Sequence, residues 1–491
     1  MAFAITQTCC ADASCVSVCP VNCIHPAPGE PDFGRTEMLY IDPGTCIDCG
    51  ACADACPVDA IFPAVDLTGP LRAYEEINAE YYAGRDVLAE ASVAPNFHRW
   101  APPDFGRILP SDFAPLDVAV VGTGPAGMYA VEDLLLHTNA RVTLVDRLPV
   151  AGGLIRYGVA PDHPSTKKIG ETFARFHDHP RLRLRLGVEA GPELAGRHDA
   201  VIYAVGATQA RRLGVPGEDL PGSLPAATVV GWYNGHPDAA PVDLSTERVV
   251  VVGAGNVALD IARILTADPD ALADTAIAPA ALARLRSGKV REVVLLARRG
   301  PSDAAYTRPE LLALAARGDL VVDAHDPRIA AAIDGAEPGD KAALLQGVPR
   351  EAVDWSSPPP DGRRRVILRF HSAPVSFRGD TEIRGVTVSG PAGEVEIPAG
   401  RVVRAAGFRG AAVAGLPFDA ETGTVPNTAG RVEGVPGTYV AGWIKRGPSG
   451  GIGANKECAR ETVGTLLEDA VAGRLPRRRR SGLRAKLRGR A

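Results

Sequence analysis

Twice in this chain a run of aliphatic residues ends in a glycine turn and continues with helical periodicity. The first copy is Val118–Leu135, VAVVGTGPAGMYAVEDLL, and the second is Val249–Ile264, VVVVGAGNVALDIARI. In the first, Gly122 permits the tight turn, Gly124 lets backbone approach a pyrophosphate, and Gly127 lets the helix pack close to the strand. The helix N-terminus then offers free N–H groups and a positive dipole end to that anion. A second strand, Arg141–Val145, ends in Asp146, nineteen residues past Gly127, where an acid meets a ribose 2′-hydroxyl. The second copy reads Gly253-x-Gly255-x-x-Ala258, and alanine is allowed at the third position. Its following strand, Val293–Leu296, leads to Ala297-Arg298-Arg299, with arginine where the first copy has Asp146. Arginine there accommodates a ribose 2′-phosphate, so this copy predicts NADP rather than NAD. The interval from Ala258 to Arg298 is about twice the ~20 residues usual for the pattern, which predicts an inserted alanine-rich helical segment near residues 270–287. The fold class is therefore α/β with two Rossmann-like, doubly wound dinucleotide-binding domains.

Nine of the ten cysteines lie in the first 56 residues, and such density at one end of an intracellular chain indicates metal binding rather than disulfides. Cys46-x2-Cys49-x2-Cys52-x3-Cys56-Pro57 is the bacterial ferredoxin run, whose fourth cysteine ligates the other cluster in two-cluster proteins. An earlier block, Cys9-x2-Asp12-x2-Cys15-x3-Cys19-Pro20, repeats the spacing with Asp12 in place of the second cysteine. Val21-Asn22-Cys23-Ile24 likewise repeats as Val58-Asp59-Ala60-Ile61. An internal repeat of this kind predicts a pseudo-twofold α+β module around two clusters. By the crossed rule Cys19, Cys46, Cys49 and Cys52 hold a complete [4Fe–4S] cluster, and Cys9, Cys15 and Cys56 hold the other. Because a carboxylate is a harder and weaker ligand than a thiolate, that other cluster is expected as [3Fe–4S], with an Asp12-ligated [4Fe–4S] as the alternative. Cys10 and Cys23 read as buried spare thiols and Cys458 as structural.

At 491 residues the chain accommodates roughly three domains of ~150 residues. Net charge is −5, but Arg474–Ala491 carries nine basic residues and no acid, leaving 44 basic against 58 acidic residues elsewhere. The tail reads as a solvated basic segment, with no specific nucleic-acid site implied. No apolar run approaches the ~18–20 residues of a membrane span, and the first residues lack the pattern of a signal peptide; the expectation is cytoplasmic. Residues 64–113 contain Pro70, Pro95, Pro102, Pro103 and Pro110 with Tyr74, Tyr81, Tyr82, Phe97 and Trp100, which reads as a linker lying on a surface. Gly152-Gly153-Leu154 opens a second glycine-bearing stretch that ends at Asp162-His163, and Tyr439–Gly453, YVAGWIKRGPSGGIG, is a third. A strand is expected at Arg401–Arg404.

With GTGPAGMYA, GLIRYGVAPDH, GAGNVALDIAR, ARRG and YVAGWIKRGPSGGIG in place, the chain resembles the adrenodoxin-reductase-like ferredoxin–NADP reductases, fused to a bacterial two-cluster ferredoxin in a layout familiar from actinobacteria. The resemblance covers nearly all of residues 1–475. It implies an NADPH domain inserted in an FAD domain. Gly122, Gly124, Pro125, Ala126, Gly127, Asp146, Gly153, Leu154, Gly442, Trp443 and Gly453 would contact FAD, and Gly255, Asn256, Val257, Arg298 and Arg299 would contact NADPH. It also points to His163 and to Glu310, in YTRPEL, near the nicotinamide–flavin contact, although Pro309 departs from the family's usual residue. The implied division is 1–63 ferredoxin, 64–113 linker, 114–209 and 409–475 FAD domain, 210–408 NADPH domain, and 476–491 basic tail. The implied activity is electron transfer between NADPH and iron–sulfur clusters through FAD, with ferredoxin or another one-electron acceptor or donor protein as partner. An electron-input subunit like the small subunit of glutamate synthase is disfavoured by the tight Cys46–Cys56 run. A non-enzymatic NADPH-responsive carrier is separated from an enzyme by steady NADPH oxidation.

Overall fold

The computed structural model describes residues 2–83, 109–110, 112–191, 193–391 and 393–476. Pro95, Phe97, Trp100, Pro102, Pro103 and the basic tail beyond Pro476 lie outside them. The chain forms two units: Met1–Trp100 with Arg156–Ile169 and Gln209–Phe408, and Ala101–Ile155 with Gly170–Thr208 and Arg409–Ala491. Among the described residues no helix is long and apolar enough to cross a membrane.

The second unit is built on a seven-stranded sheet in the order Leu182–Arg185, Arg141–Val145, Asp117–Val121, Ala200–Tyr203, Thr438–Val440, Arg431–Val432, Asn427–Thr428. Its first five strands are parallel. Val118, Ala119 and Val120 are buried, as expected for a strand covered on both faces. Chain order reverses beside Asp117–Val121, and the crevice at such a switch point, beyond the carboxyl ends of the strands, is where α/β sheets bind ligands. The helices Pro125–His137 and Ala454–Val471 pack along each other.

The first unit contains a seven-stranded, all-parallel sheet in the order Ser223–Pro225, Arg401–Arg404, Arg248–Val252, Glu292–Leu296, Arg365–Arg369, Leu320–Asp323, Arg350–Glu351. Alternate residues serve opposite faces. Val249, Val251, Val293 and Leu295 pack with Leu259, Ala262 and Leu311 on the helical side. Val250, Val252, Val294 and Leu296 pack against Phe377, Val386, Val388 and Ile397, which belong to an antiparallel meander, Ala373–Arg378, Gly385–Gly390 and Gly393–Pro398. The expected strand at Arg401–Arg404 is present, and the interval before Glu292–Leu296 holds the helix Pro279–Ser287.

The cysteine-rich part of this unit pairs Phe3–Ile5 with Ile61–Pro63 and Ile24–His25 with Tyr40–Ile41, both antiparallel. Here the structure departs from the linker expectation. Residues 73–82 form a helix in which Tyr74 is fully buried. Asn78 donates to Ile5 O and accepts the N–H groups of Ile5 (3.1 Å) and Ile41 (2.9 Å), while Tyr82 Oη donates to Tyr40 O at 2.7 Å. The segment's prolines and polar residues hid an element whose stability comes from tertiary contacts rather than local propensity.

Candidate functional site

The repeat seen in the cysteine spacing is also written in the backbone. Ala11 and Asp48 share φ near +55° (53° and 59°), Ala13 and Gly50 follow at 61° and 72°, and Asn22 and Asp59 at 54° and 48°. Each pair has the same offset from the first cysteine of its block, and left-handed backbone at non-glycine positions is uncommon enough to mark a shared loop geometry. Short helices follow in register, Ser14–Val18 and Ala51–Asp54.

This folding crosses the two blocks. Cys19 joins Cys46, Cys49 and Cys52 around one cavity, completed by Phe3, Val21, Cys23, Ile47 and Gly50. Cys9, Cys15 and Cys56 form the other set, each feeling the charge of Asp12. The Asp12 carboxylate is buried and accepts Ser14 N–H at 3.3 Å and Ser14 Oγ–H, so it caps a turn beside the thiols. Cys10 is buried, as expected. Cys23 is buried too, but its Sγ lies 3.4 Å from Cys19 Sγ. Its place on the cavity wall could not be read from spacing. Thiols gathered this way fit iron–sulfur clusters, which want soft anionic ligands in a shaped pocket.

In the second unit the first glycine turn is bare backbone for steric reasons. A Cβ on Gly127 would stand 1.9 Å from Gly122 O, one on Gly122 2.4 Å from Ala204 O, and one on Gly153 2.7 Å from Gly124 Cα. Gly124 caps the helix Pro125–His137, and its Cβ position meets only Gly153 Cα, at 3.9 Å. Of these glycines Gly124 alone is uncrowded, and that is the position where backbone must be approached closely by a pyrophosphate. Asp146 is turned toward this loop: Oδ2 accepts Thr123 N–H and Oγ–H at 2.8 and 2.6 Å, and Oδ1 accepts Leu148 N–H at 2.9 Å. Gly442 arrives from far along the chain; its added Cβ would stand 2.6 Å from Ala126 Cβ, so only glycine allows the two stretches to meet. Trp443 Nε1 donates to Ser449 O at 3.1 Å, Leu154 is exposed, and Gly453 caps Ala454–Val471. The buried Cys458 accepts Gly442 N–H at 3.1 Å.

The second glycine turn belongs to the first unit. Gly255 caps the helix Asn256–Thr266, Asn256 Oδ1 accepts Thr307 N–H at 2.9 Å, and Val257 is half-buried beside it. Arg298 and Arg299 lie exposed just past the strand Glu292–Leu296, a pair of fork-shaped cations suited to a phosphate. About two turns further along the helix is a hub that sequence reading missed. Arg263, buried, donates Nε to Asp162 at 2.6 Å, Nη2 to Asp260 at 2.6 Å and to Asp162 at 3.1 Å, and Nη1 to Glu310 at 3.3 Å. Its Nη2 also faces His163 Nε2 at 2.9 Å. Three acids share one arginine. Burial, then the charge of Asp260, pushes Glu310 up to about 7, while burial and the arginine lower His163. Burial opposes the charge of Asp162, but Arg263 more than offsets it and holds the carboxyl low. Asp260 and Arg263, the two charged residues of this helix, at i and i+3, were the available signal.

A protein-family model described as pyridine nucleotide-disulphide oxidoreductase matches residues 116–299, and one described as a 4Fe-4S binding domain matches residues 39–62. A probable ferredoxin/ferredoxin–NADP reductase of Mycobacterium tuberculosis is 46% identical over 97% of this chain and 85% of its own. The mitochondrial NADPH:adrenodoxin oxidoreductase of Homo sapiens is 37% identical over 75% of this chain and 82% of its own. Among solved structures, Mycobacterium tuberculosis FprA in complex with NADPH superposes with a TM-score of 0.66 at 40% identity, covering 74% of this chain and 87% of that one. The chain belongs to the ferredoxin–NADP reductases: it is an oxidoreductase with a pyridine-nucleotide fold and an iron–sulfur module in one polypeptide.

Proposed function

We propose that this chain oxidises NADPH and passes the electrons singly to ferredoxin or another one-electron acceptor protein, using FAD and two iron–sulfur clusters as resident cofactors. The observation that carries this reading is the convergence of Cys19 with Cys46, Cys49 and Cys52 on one cavity, in the same unit as the glycine turn flanked by Arg298 and Arg299. When bound, FAD supplies the conversion between a two-electron hydride and the single electrons a cluster accepts.

The residues divide that work. Gly122, Gly124, Pro125, Ala126, Gly127 and Gly153 give FAD's pyrophosphate a floor without side chains, Asp146 fixes the loop and stands by the ribose, and Leu154, Gly442, Trp443 and Gly453 hold the remainder. Gly255, Asn256 and Val257 receive the NADP(H) pyrophosphate, and Arg298 and Arg299 the 2′-phosphate. His163 and Glu310 hold protons near the reacting ring. A guanidinium only donates, so Arg263 fixes His163 Nε2 as an acceptor and leaves the proton on Nδ1. Glu310, titrating near neutrality, is matched to giving or taking a proton at working pH. Cys19, Cys46, Cys49 and Cys52 would hold a [4Fe–4S] cluster; Cys9, Cys15 and Cys56 would hold a [3Fe–4S] centre, or a [4Fe–4S] cluster if Asp12 serves as the fourth ligand. On this reading residues 1–63, extended by the helix at 73–82, are the ferredoxin part, 114–209 and 409–475 bind FAD, and 210–408 bind NADPH. A reducing compartment such as the cytoplasm suits the thiols.

Anaerobic titration with NADPH, followed by absorbance and EPR, tests the reading. Flavin bleaching together with reduction of cluster signals is expected. Bleaching without any iron–sulfur signal overturns the cluster assignment, and no bleaching overturns the enzyme.

A further inference from the structure

The helix that carries Glu310 is entered through Thr307-Arg308-Pro309-Glu310. This is the spacing of a capping box, in which the threonine hydroxyl bonds the N–H of the glutamate and the glutamate reaches back to the N–H of the threonine. A glutamate used in that way is engaged at the end of its own helix. The structure arranges it otherwise. Among the described residues the Thr307 side chain makes no capping bond, and its N–H goes to Asn256 Oδ1 at 2.9 Å. The next N–H, that of Arg308, goes to the Glu37 carboxylate at 2.8 Å, and Pro309 has none to place. Glu37 belongs to the cysteine-rich part of the chain, 271 residues earlier. Two acceptors from elsewhere thus take the donors that open the helix Arg308–Ala315. The Glu310 carboxylate turns instead to Arg263, whose Nη1 donates to it at 3.3 Å, and His163 and Asp260 each bring a polar atom to within 4.8 Å of it. The charged and titratable groups about Glu310 are Arg263, Asp260, Asp162, His163 and the fully buried Tyr74. Those about Glu37 are Arg308, Lys341, Tyr40 and Tyr74. Glu80 also meets Arg308, but at Nη1, 2.6 Å away, which leaves the N–H to Glu37.

We propose that Glu37 is a positioning residue for Glu310: by accepting the N–H of Arg308 it frees the Glu310 carboxylate for Arg263 and His163, so that the cysteine-rich part completes the proton-holding site of the nucleotide-binding part. The proposal rests on the reading of Glu310 given above. The competing position is close at hand, because a carboxylate at the third helical residue reaches back to the helix entry. There it accepts N–H groups and meets the positive end of the helix, both of which favour its charged form. Held in the buried cluster beside Asp260, it keeps its proton up to about 7. Without Glu37 the Arg308 N–H calls for another acceptor, and Glu310 is the nearest carboxylate along the chain. Loss of the Glu37 charge acts in the same direction, since one anion fewer then opposes the ionisation of Glu310.

The test introduces Glu310→Gln into three backgrounds of the full-length, cofactor-loaded protein and follows unfolding midpoints against pH. In the parent, Glu310→Gln should gain midpoint as pH rises from about 5 to about 8, because it removes a group that is protonated in the folded chain and ionised in the unfolded one. In the Glu37→Ala background most of that gain should vanish. In Glu80→Ala, which breaks the pair at the Arg308 side chain and keeps the Glu37 bond, the gain should persist. An undiminished gain with Glu37→Ala overturns the proposal. So does an equal loss in both backgrounds, which marks loosened docking rather than a lost cap. Should Glu37→Ala fail to fold, Glu37→Gln decides: it keeps the shape and an acceptor oxygen, and should lose about half the gain, since a charge-assisted bond is roughly twice as strong as a neutral one; an unaltered gain overturns the proposal. The pH profile of NADPH oxidation with ferricyanide gives a second readout. The limb that Glu310→Gln abolishes should move toward acid by about half to one pH unit in Glu37→Ala, the worth of one capping bond, and stay in place in Glu80→Ala. If Glu310→Gln leaves that profile unaltered, the reading of Glu310 fails while the melts still judge the cap. A profile that keeps its limb, with melts indifferent to Glu37, removes the cap alone.

Discussion

Glu310 shows how one residue's surroundings become a measurable pH dependence. Its folded pKa, about 7, lies above the ordinary 4.5, so between those values the folded chain keeps a proton that the unfolded chain has lost. Stability therefore falls as pH rises through that window and the loss is complete above about 7. Glu310→Gln removes the charge while keeping the shape; its unfolding midpoint should gain on the parent as pH is raised from about 5 to about 8, and a constant gap in urea or thermal melts would contradict the burial argument. Arg298 and Arg299 carry a second prediction. Replacing both with alanine should raise the KM for NADPH at least ~tenfold, since charge-assisted contacts to a phosphate are worth ~1.5–3 kcal/mol, and should leave NADH nearly unaffected; steady-state kinetics with both coenzymes decide it. These two arginines were legible because a strand end fixes their place. Arg263 was not, because its role exists only once Asp162, Asp260, Glu310 and His163, from three separate segments, have converged.

Among the elements, the first glycine turn separates folding from binding. Gly127→Ala forces a Cβ to within 1.9 Å of Gly122 O, so the helix must lift from its strand; loss of several kcal/mol is expected, the range of overpacked cores at ~1–3 kcal/mol or more. Gly124→Ala meets only Gly153 Cα at 3.9 Å and has ordinary backbone angles. It should melt like the parent yet retain little FAD, and the flavin content of the purified variants checks the contrast. In the cysteine module, Asp12→Cys restores the missing ligand in a loop that already has its partner's backbone angles; the EPR signal of an oxidised three-iron centre should disappear and the iron content rise toward eight per chain, about two [4Fe–4S] clusters. The repeat was readable from spacing alone because ligand intervals are set by cluster geometry. The helix Ala73–Tyr82 was not, because what holds it is Asn78 reaching two strands, a contact with no local signature.

At the scale of the whole molecule, a chain beginning at Asp112 should still bind FAD and reduce small dyes with NADPH, but lose transfer to large acceptors. Removing Glu37 and Glu80 uncovers Arg308 and Lys341, so an acidic ferredoxin added separately should restore transfer at low salt and lose it as the Debye length shrinks below ~10 Å. Full retention of large-acceptor activity without any added ferredoxin would count against the relay. The interrupted unit has a further consequence, for how the protein is made. Tyr203 pairs with Val440, so the strand Ala200–Tyr203 leaves the ribosome more than 230 residues ahead of its neighbour. At ~5–20 residues per second that is a wait of roughly 12 to 45 seconds. Throughout it the growing polypeptide presents the unpaired edge of a short, wholly apolar strand, a template for mispairing. Nascent chains halted near residue 430 should accordingly be cut readily by protease in this region, and those released through Pro476 should resist, making the last tenth of translation the step that commits the molecule to its native state.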